Sequence, residues 1–277
     1  GCTMVRLGYG SADDLAYLWL DGWFDFNDEQ TPKARAALAD ALIWHRKTQL
    51  PDYAQWLAKT SSDVANNTTA DAVCKLTAEV YERFSRMSDR MLPAAADIAV
   101  TLTDAQLAHM QARFDKGQVK FRDEYAKGDA KTREAAALER SISRAESIYG
   151  NIDDAQREVL AQAIKTSPFD ATLMLGERAT RMREAIQMVK DARAVAASGA
   201  MPAAVAQFQG AIKRWAQEGR ASPRSGYRAY QQRINDYHCA LSAQVHNVAS
   251  AATRQGARER LKGWESDARS LFAQVAP

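Results

Sequence analysis

Along most of this chain apolar residues recur in steps of three and four, and strand-favouring residues nowhere alternate with polar ones for the length of a strand. Tyr230, Ile234, Tyr237 and Leu241 are the clearest case, spaced so that all four share one face of a helix and form a core seam. Trp264, Ala268 and Leu271 repeat the spacing further on. Gly and Pro are sparse, 14 and 7 in 277 residues, and they punctuate long periodic stretches instead of close turns. Such a chain must bury helical stripes against one another, so the expected class is all-α, a multi-helix bundle of antiparallel helical hairpins. With 46% hydrophobic residues it can bury a sizeable core, and the expected division is a linker over residues 1–10 and one helical domain over 11–277.

Three segments share one pattern of helix starts: Phe26-Asn27-Asp28-Glu29-Gln30, Leu102-Thr103-Asp104-Ala105-Gln106 and Ile152-Asp153-Asp154-Ala155-Gln156. Each has a side chain able to accept from a first-turn N–H, then an acid, then a Gln that can reach back to the cap. Thr31-Pro32, Ser167-Pro168 and Ser222-Pro223 read as cap-then-proline starts. These marks predict helices near 12–24, 32–49, 51–59, 70–91, 94–100, 104–126, 130–149, 153–165, 168–197, 202–217, 223–254 and 257–273. Breaks are expected at Pro51, Pro93 and Gly256.

The net charge of +3 is mild, and no aromatic residues interleave with a basic stripe, so nucleic acid is not expected as a partner. Residues 1–30 are nevertheless acidic and the chain from Gly210 onward is basic. The ends either present solvated faces, pack together, or form a docking surface for an anionic partner. Val5 to Phe26 is amphipathic but too short and acidic to span a bilayer; a buried first helix is favoured over one lying at a membrane interface.

The chain opens Gly1-Cys2-Thr3, as it would if numbering began one residue before the cleavage site of a bacterial lipoprotein signal, with Cys2 the lipid acceptor. Thr3 in the following position favours the outer membrane as the address. In that case the compartment is oxidising and the two remaining cysteines, Cys74 and Cys239, are the one possible internal pair. The alternative is two buried free thiols.

The strings Leu7-Gly8-Tyr9, Trp19-Leu20-Asp21, Trp44-His45-Arg46 before Leu50-Pro51-Asp52-Tyr53, and Glu146-Ser147-Ile148-Tyr149-Gly150 point beyond general class. With Ser167-Pro168-Phe169-Asp170, Glu177-Arg178, His246-Asn247 and Leu261-Lys262-Gly263-Trp264-Glu265, the chain resembles a proteobacterial family of predicted outer-membrane lipoproteins whose domain has no assigned function. The resemblance covers almost the whole chain and implies export and a lipid anchor at Cys2. It implies no catalytic residue.

Chemistry has to be sought in the residues themselves. No Glu or Asp precedes any of His45, His109, His238 or His246 by three, no zinc-protease helix or paired Cys motif is present, and neither a glycine-flanked serine nor a phosphate-cradling loop appears. No metal and no cofactor are expected. The remaining polar cluster is Glu177, Arg178, His246, Asn247, Glu265 and Arg269, expected mainly as a network fixing how the last two helices pack. The function expected is a lipid-anchored periplasmic protein of the outer membrane, a non-enzymatic interaction or scaffold protein whose partner is a protein or an anionic envelope component. The competing expectation is an enzyme or small-ligand binder using His246, Glu265 and Arg269.

Overall fold

The computed structural model describes residues 8–274, so Cys2 and the lipid attachment expected there lie outside the described residues. Among the described residues there are α-helices and no strands. In chain order they are α1 (Ala12–Phe24), α2 (Gln30–Trp44), α3 (Leu50–Asp63), α4 (Ala70–Ala99), α5 (Asp104–Tyr125) and α6 (Ala130–Tyr149). Then follow α7 (Asp154–Lys165), α8 (Ala171–Ala197), α9 (Met201–Glu218), α10 (Ser225–Asn247) and α11 (Ala251–Ala273). Residues 8–10 also have helical conformation, inside the stretch expected as a linker.

All three repeated starts form. Thr103 and Asp153 accept from the third residues of α5 and α7, whose Gln side chains reach back to the cap N–H groups. Asn27 and Gln30 make the same reciprocal pair at α2. Each Gln then spends its amide NH2 elsewhere, and all three are buried. Gln30 and Gln106 donate to one another, at 3.3 and 2.7 Å. Gln106 also reaches the carbonyls of Phe24 and Asp25, closing α1 onto α5. Gln156 donates to the Val245 carbonyl at the end of α10. One side chain thus caps its own helix and pins another.

Four expected boundaries are corrected. Pro93 lies inside α4, which runs unbroken from Ala70 to Ala99, although its ring denies the Asp89 carbonyl a partner. Pro51 neither ends nor sharply separates a helix. A five-residue π-helical turn, His45–Gln49, precedes it, with Leu50 N–H donating to the His45 carbonyl, and the wider turn makes room for the ring at the Lys47 carbonyl. The α8 cap is Asp170, not Ser167, because Asp170 accepts from Leu173 N–H. The last break falls at residues 248–250, where Ser250 caps α11, while Gly256 is an interior residue of that helix. A Cβ there would sit 2.6 Å from the Tyr149 carbonyl oxygen, so glycine is needed for close approach to α6 and not for a bend.

Packing is less local than a stack of hairpins. The consecutive pairs α1–α2, α6–α7 and α8–α9 pack against each other, but the broadest contact joins α11 to α3, far apart in sequence. The 30-residue α4 is the common support, touching α2, α9 and α10. Most of the buried apolar residues fall into four separate clusters. The largest joins the end of α4 to α5, α8 and α9 around Leu102, Leu107, Val189 and Phe208. Leu50 and Ala54 meet Ala268 and Leu271 where α3 lies on α11. Tyr17, Ala34 and Leu38 join α1 to α2, and Ile152, Leu160 and Val245 join α7 to α10. The accessible surface is 15869 Å², against about 12,000 Å² for a compact monomer of 30.6 kDa. These helices form an open assembly held at several thin seams.

Candidate functional site

Cys74, in the second turn of α4, and Cys239, midway along α10, form a disulfide with Cα atoms 5.4 Å apart across 165 residues of sequence. Cys239 is buried on the face of α10 that meets α4, and Asn235, one turn earlier, lies with its amide nitrogen 3.4 Å from the Cys74 sulfur. The bridge therefore joins two elements that already pack.

His246 and Asn247 end α10 and work as a clamp on the loop between α3 and α4. His246 Nε2 is 2.9 Å from the Asn66 carbonyl, which can only accept, so this nitrogen carries the proton. Nδ1 then accepts from the Tyr149 hydroxyl at 2.9 Å. Both rings are withdrawn from water: burial pushes the His246 pKa below its ordinary value and the Tyr149 pKa up to about 12. Asn247 pairs with the backbone of Thr68 through both ends of its amide, accepting at 2.8 Å and donating at 2.9 Å. Arg254, from the first turn of α11, adds bonds to Ala65 and Asn67. The whole loop is held from one side.

Glu177 and Arg178 point into different surroundings. Glu177, buried on α8, accepts from the fully buried Ser222 hydroxyl at 3.0 Å and from Arg224 Nε and Nη2 at 2.7 and 2.5 Å. The Arg224 guanidinium holds its carboxyl below the usual range. Arg224 also reaches Glu184, so the turn entering α10 is fastened to α8 by a forked ion pair. Arg178 donates to Gln118 and lies over the Phe121 ring, joining α8 to α5. Ser222 is expected from the sequence only as a helix cap, and neither it nor Arg224 and Glu184 is expected as a partner of Glu177, because a fork across 47 residues has no local spacing to betray it.

Glu265 and Arg269 pair at 2.8 Å as expected, one helical turn apart, with the arginine half exposed. They do not meet His246. Glu265 lies fourteen residues into α11, about 21 Å along its axis, whereas His246 is beside the loop where that helix begins. Nor do the last two helices pack along each other, since α11 turns away to α3 and α6. The six polar residues expected as one cluster are thus four separate structural fastenings: Glu177, Arg178, the His246–Asn247 clamp and the Glu265–Arg269 pair. The recess of about 600 Å³ lined by Val100, Asp104, Lys190, Arg193 and Met201 is elsewhere again. His45 is half-buried between Tyr9 and Tyr53 and takes a 2.8 Å bond with the Tyr9 hydroxyl, a packing role. Among the described residues no group of three or more His, Cys, Asp or Glu could hold a metal ion.

A family model described as "Family of unknown function (DUF6279)" matches residues 22–198. The match ends just past α8, so it takes in Cys74, Glu177 and Arg178 but neither Cys239 nor the His246–Asn247 clamp. No curated protein and no solved structure matches the chain.

Proposed function

This chain belongs to the DUF6279 family, whose function is unknown; we propose that it is an exported bacterial lipoprotein, anchored through Cys2 to the periplasmic face of the outer membrane. In this reading it is a non-enzymatic interaction or scaffold protein. The single observation that carries the reading is the Cys74–Cys239 bridge, since disulfides persist in oxidising compartments and are rare in the cytosol. No helix of the described residues is long and apolar enough to cross a membrane, so attachment in this reading falls to lipid. A single acyl chain gives only reversible binding, and the several chains of a bacterial lipoprotein would make the tether lasting.

An interaction role is supported by the form of the molecule: open seams and excess surface offer long helix faces. A protein partner is favoured over a polyanion because several bases of the C-terminal third are engaged internally. Arg224 forks onto Glu177 and Glu184, Arg254 holds the 65–67 backbone and side chains, and Arg269 pairs with Glu265. The test is the intact mass of protein extracted from membranes of its native host, read with and without reductant. Acyl mass on Cys2 and a two-proton difference for the bridge are expected. An unacylated Cys2, or both interior thiols alkylated without reduction, would overturn the proposal.

A further inference from the structure

α1 is docked by one side only. Tyr17 is buried against α2, with Arg35 stacked 3.8 Å from its ring centroid, and Trp23 is covered by Arg113 from α5. The opposite face carries Leu15, Leu18 and Trp19, exposed to 58%, 62% and 61%. At about 100° per residue these three and Gly22 fill one stripe some 100° wide. The expectation of a buried first helix therefore holds for Tyr17 and fails for its larger apolar neighbours.

We propose that this stripe is a membrane-contact surface, lying in the interface of the bilayer to which Cys2 is tethered. The inference rests on the anchoring reading for its source of lipid. Leu15 is thirteen residues from Cys2, a covalent reach of at most about 45 Å, so the tether keeps α1 beside the bilayer whatever path the intervening chain takes. Trp beside Leu on an exposed helical face is the composition that suits the headgroup boundary. The acidic residues of α1 do not oppose this. Asp13 projects to the far side of the helix, Asp14 is paired with Arg35 at 3.1 Å, and Asp21 accepts from Phe26 N–H. What charge remains selects a zwitterionic surface over an anionic one.

Cys2 is the one cysteine outside the bridge, so purified folded protein can be coupled through it to a maleimide lipid in phosphatidylcholine vesicles carrying bromine on their acyl chains. Tryptophan fluorescence should be quenched by the brominated chains, Trp19→Phe should remove most of that quenching, and Trp264→Phe, at an exposed position of α11, should leave it. Replacing part of the phosphatidylcholine by phosphatidylglycerol should weaken it. Quenching that is absent, or unchanged by Trp19→Phe, overturns the proposal. So does a dimer of untethered protein that dissociates on Leu18→Glu, which would make a second copy the occupant. Because the tether is supplied chemically, a native Cys2 without lipid would sink the anchoring reading while this result stood by itself.

Discussion

Gly256 is the residue with least freedom. Any side chain there meets the Tyr149 carbonyl at 2.6 Å, and the obstacle is backbone, which cannot swing aside. Gly256→Ala should cost about 1–3 kcal/mol, read as a lowered urea midpoint with unchanged slope, despite the better helix propensity of alanine. The neighbouring clamp gives a pH signature. His246 and His45 are both held below the ordinary value of 6.5 by burial. Above 6.5 both folded and unfolded chains keep these rings neutral; below it the unfolded chain takes up protons that the folded one refuses. Stability should therefore be full at pH 7.5 and fall as pH drops below 6.5, and His246→Gln should flatten that slope in denaturation series. A slope unchanged by the substitution would remove His246 from the account.

At the scale of elements, helix ends carry the tertiary information. Gln156 shows why: it accepts nothing from solvent, its oxygen caps Asp153 N–H, and its nitrogen closes on Val245 in another helix. Gln156→Ala should cost about 1–3 kcal/mol, more than loss of an exposed cap, because a buried carbonyl and a backbone N–H both lose partners. Differential scanning calorimetry of that variant beside Asp129→Ala, which removes an exposed cap from α6, checks the ordering. Helix starts were legible in sequence where the Asx or Thr and Gln pattern stood, since capping is satisfied within four residues. The ends at Pro93 and Gly256 were misread for the opposite reason. Whether a proline is carried through a helix, or a glycine serves contact instead of a bend, depends on neighbours that local spacing does not contain.

Across the whole molecule, one covalent bond and several thin seams share the task of cohesion. Closing a loop of 165 residues restricts the unfolded chain by up to about 5 kcal/mol in the chain-entropy account. Reductant should lower the urea midpoint accordingly, and Cys239→Ser should abolish the difference between reduced and oxidised samples. The open packing predicts a solution radius of gyration clearly above about 19 Å, the compact value for this length, by small-angle X-ray scattering. Sequence alone determined the all-helical class and the starts of three helices with their glutamines, because periodicity and capping are local; it offered Cys74 with Cys239 only if Cys2 carries lipid, and the bridge itself is seen in the structure. Only the tertiary structure decided that α11 lies on α3, that His246, Glu177 and Glu265 stand in separate places, and that Leu15, Leu18 and Trp19 face outward. Those outcomes depend on which apolar stripe finds which partner, and every amphipathic helix offers the same kind of stripe to all the others.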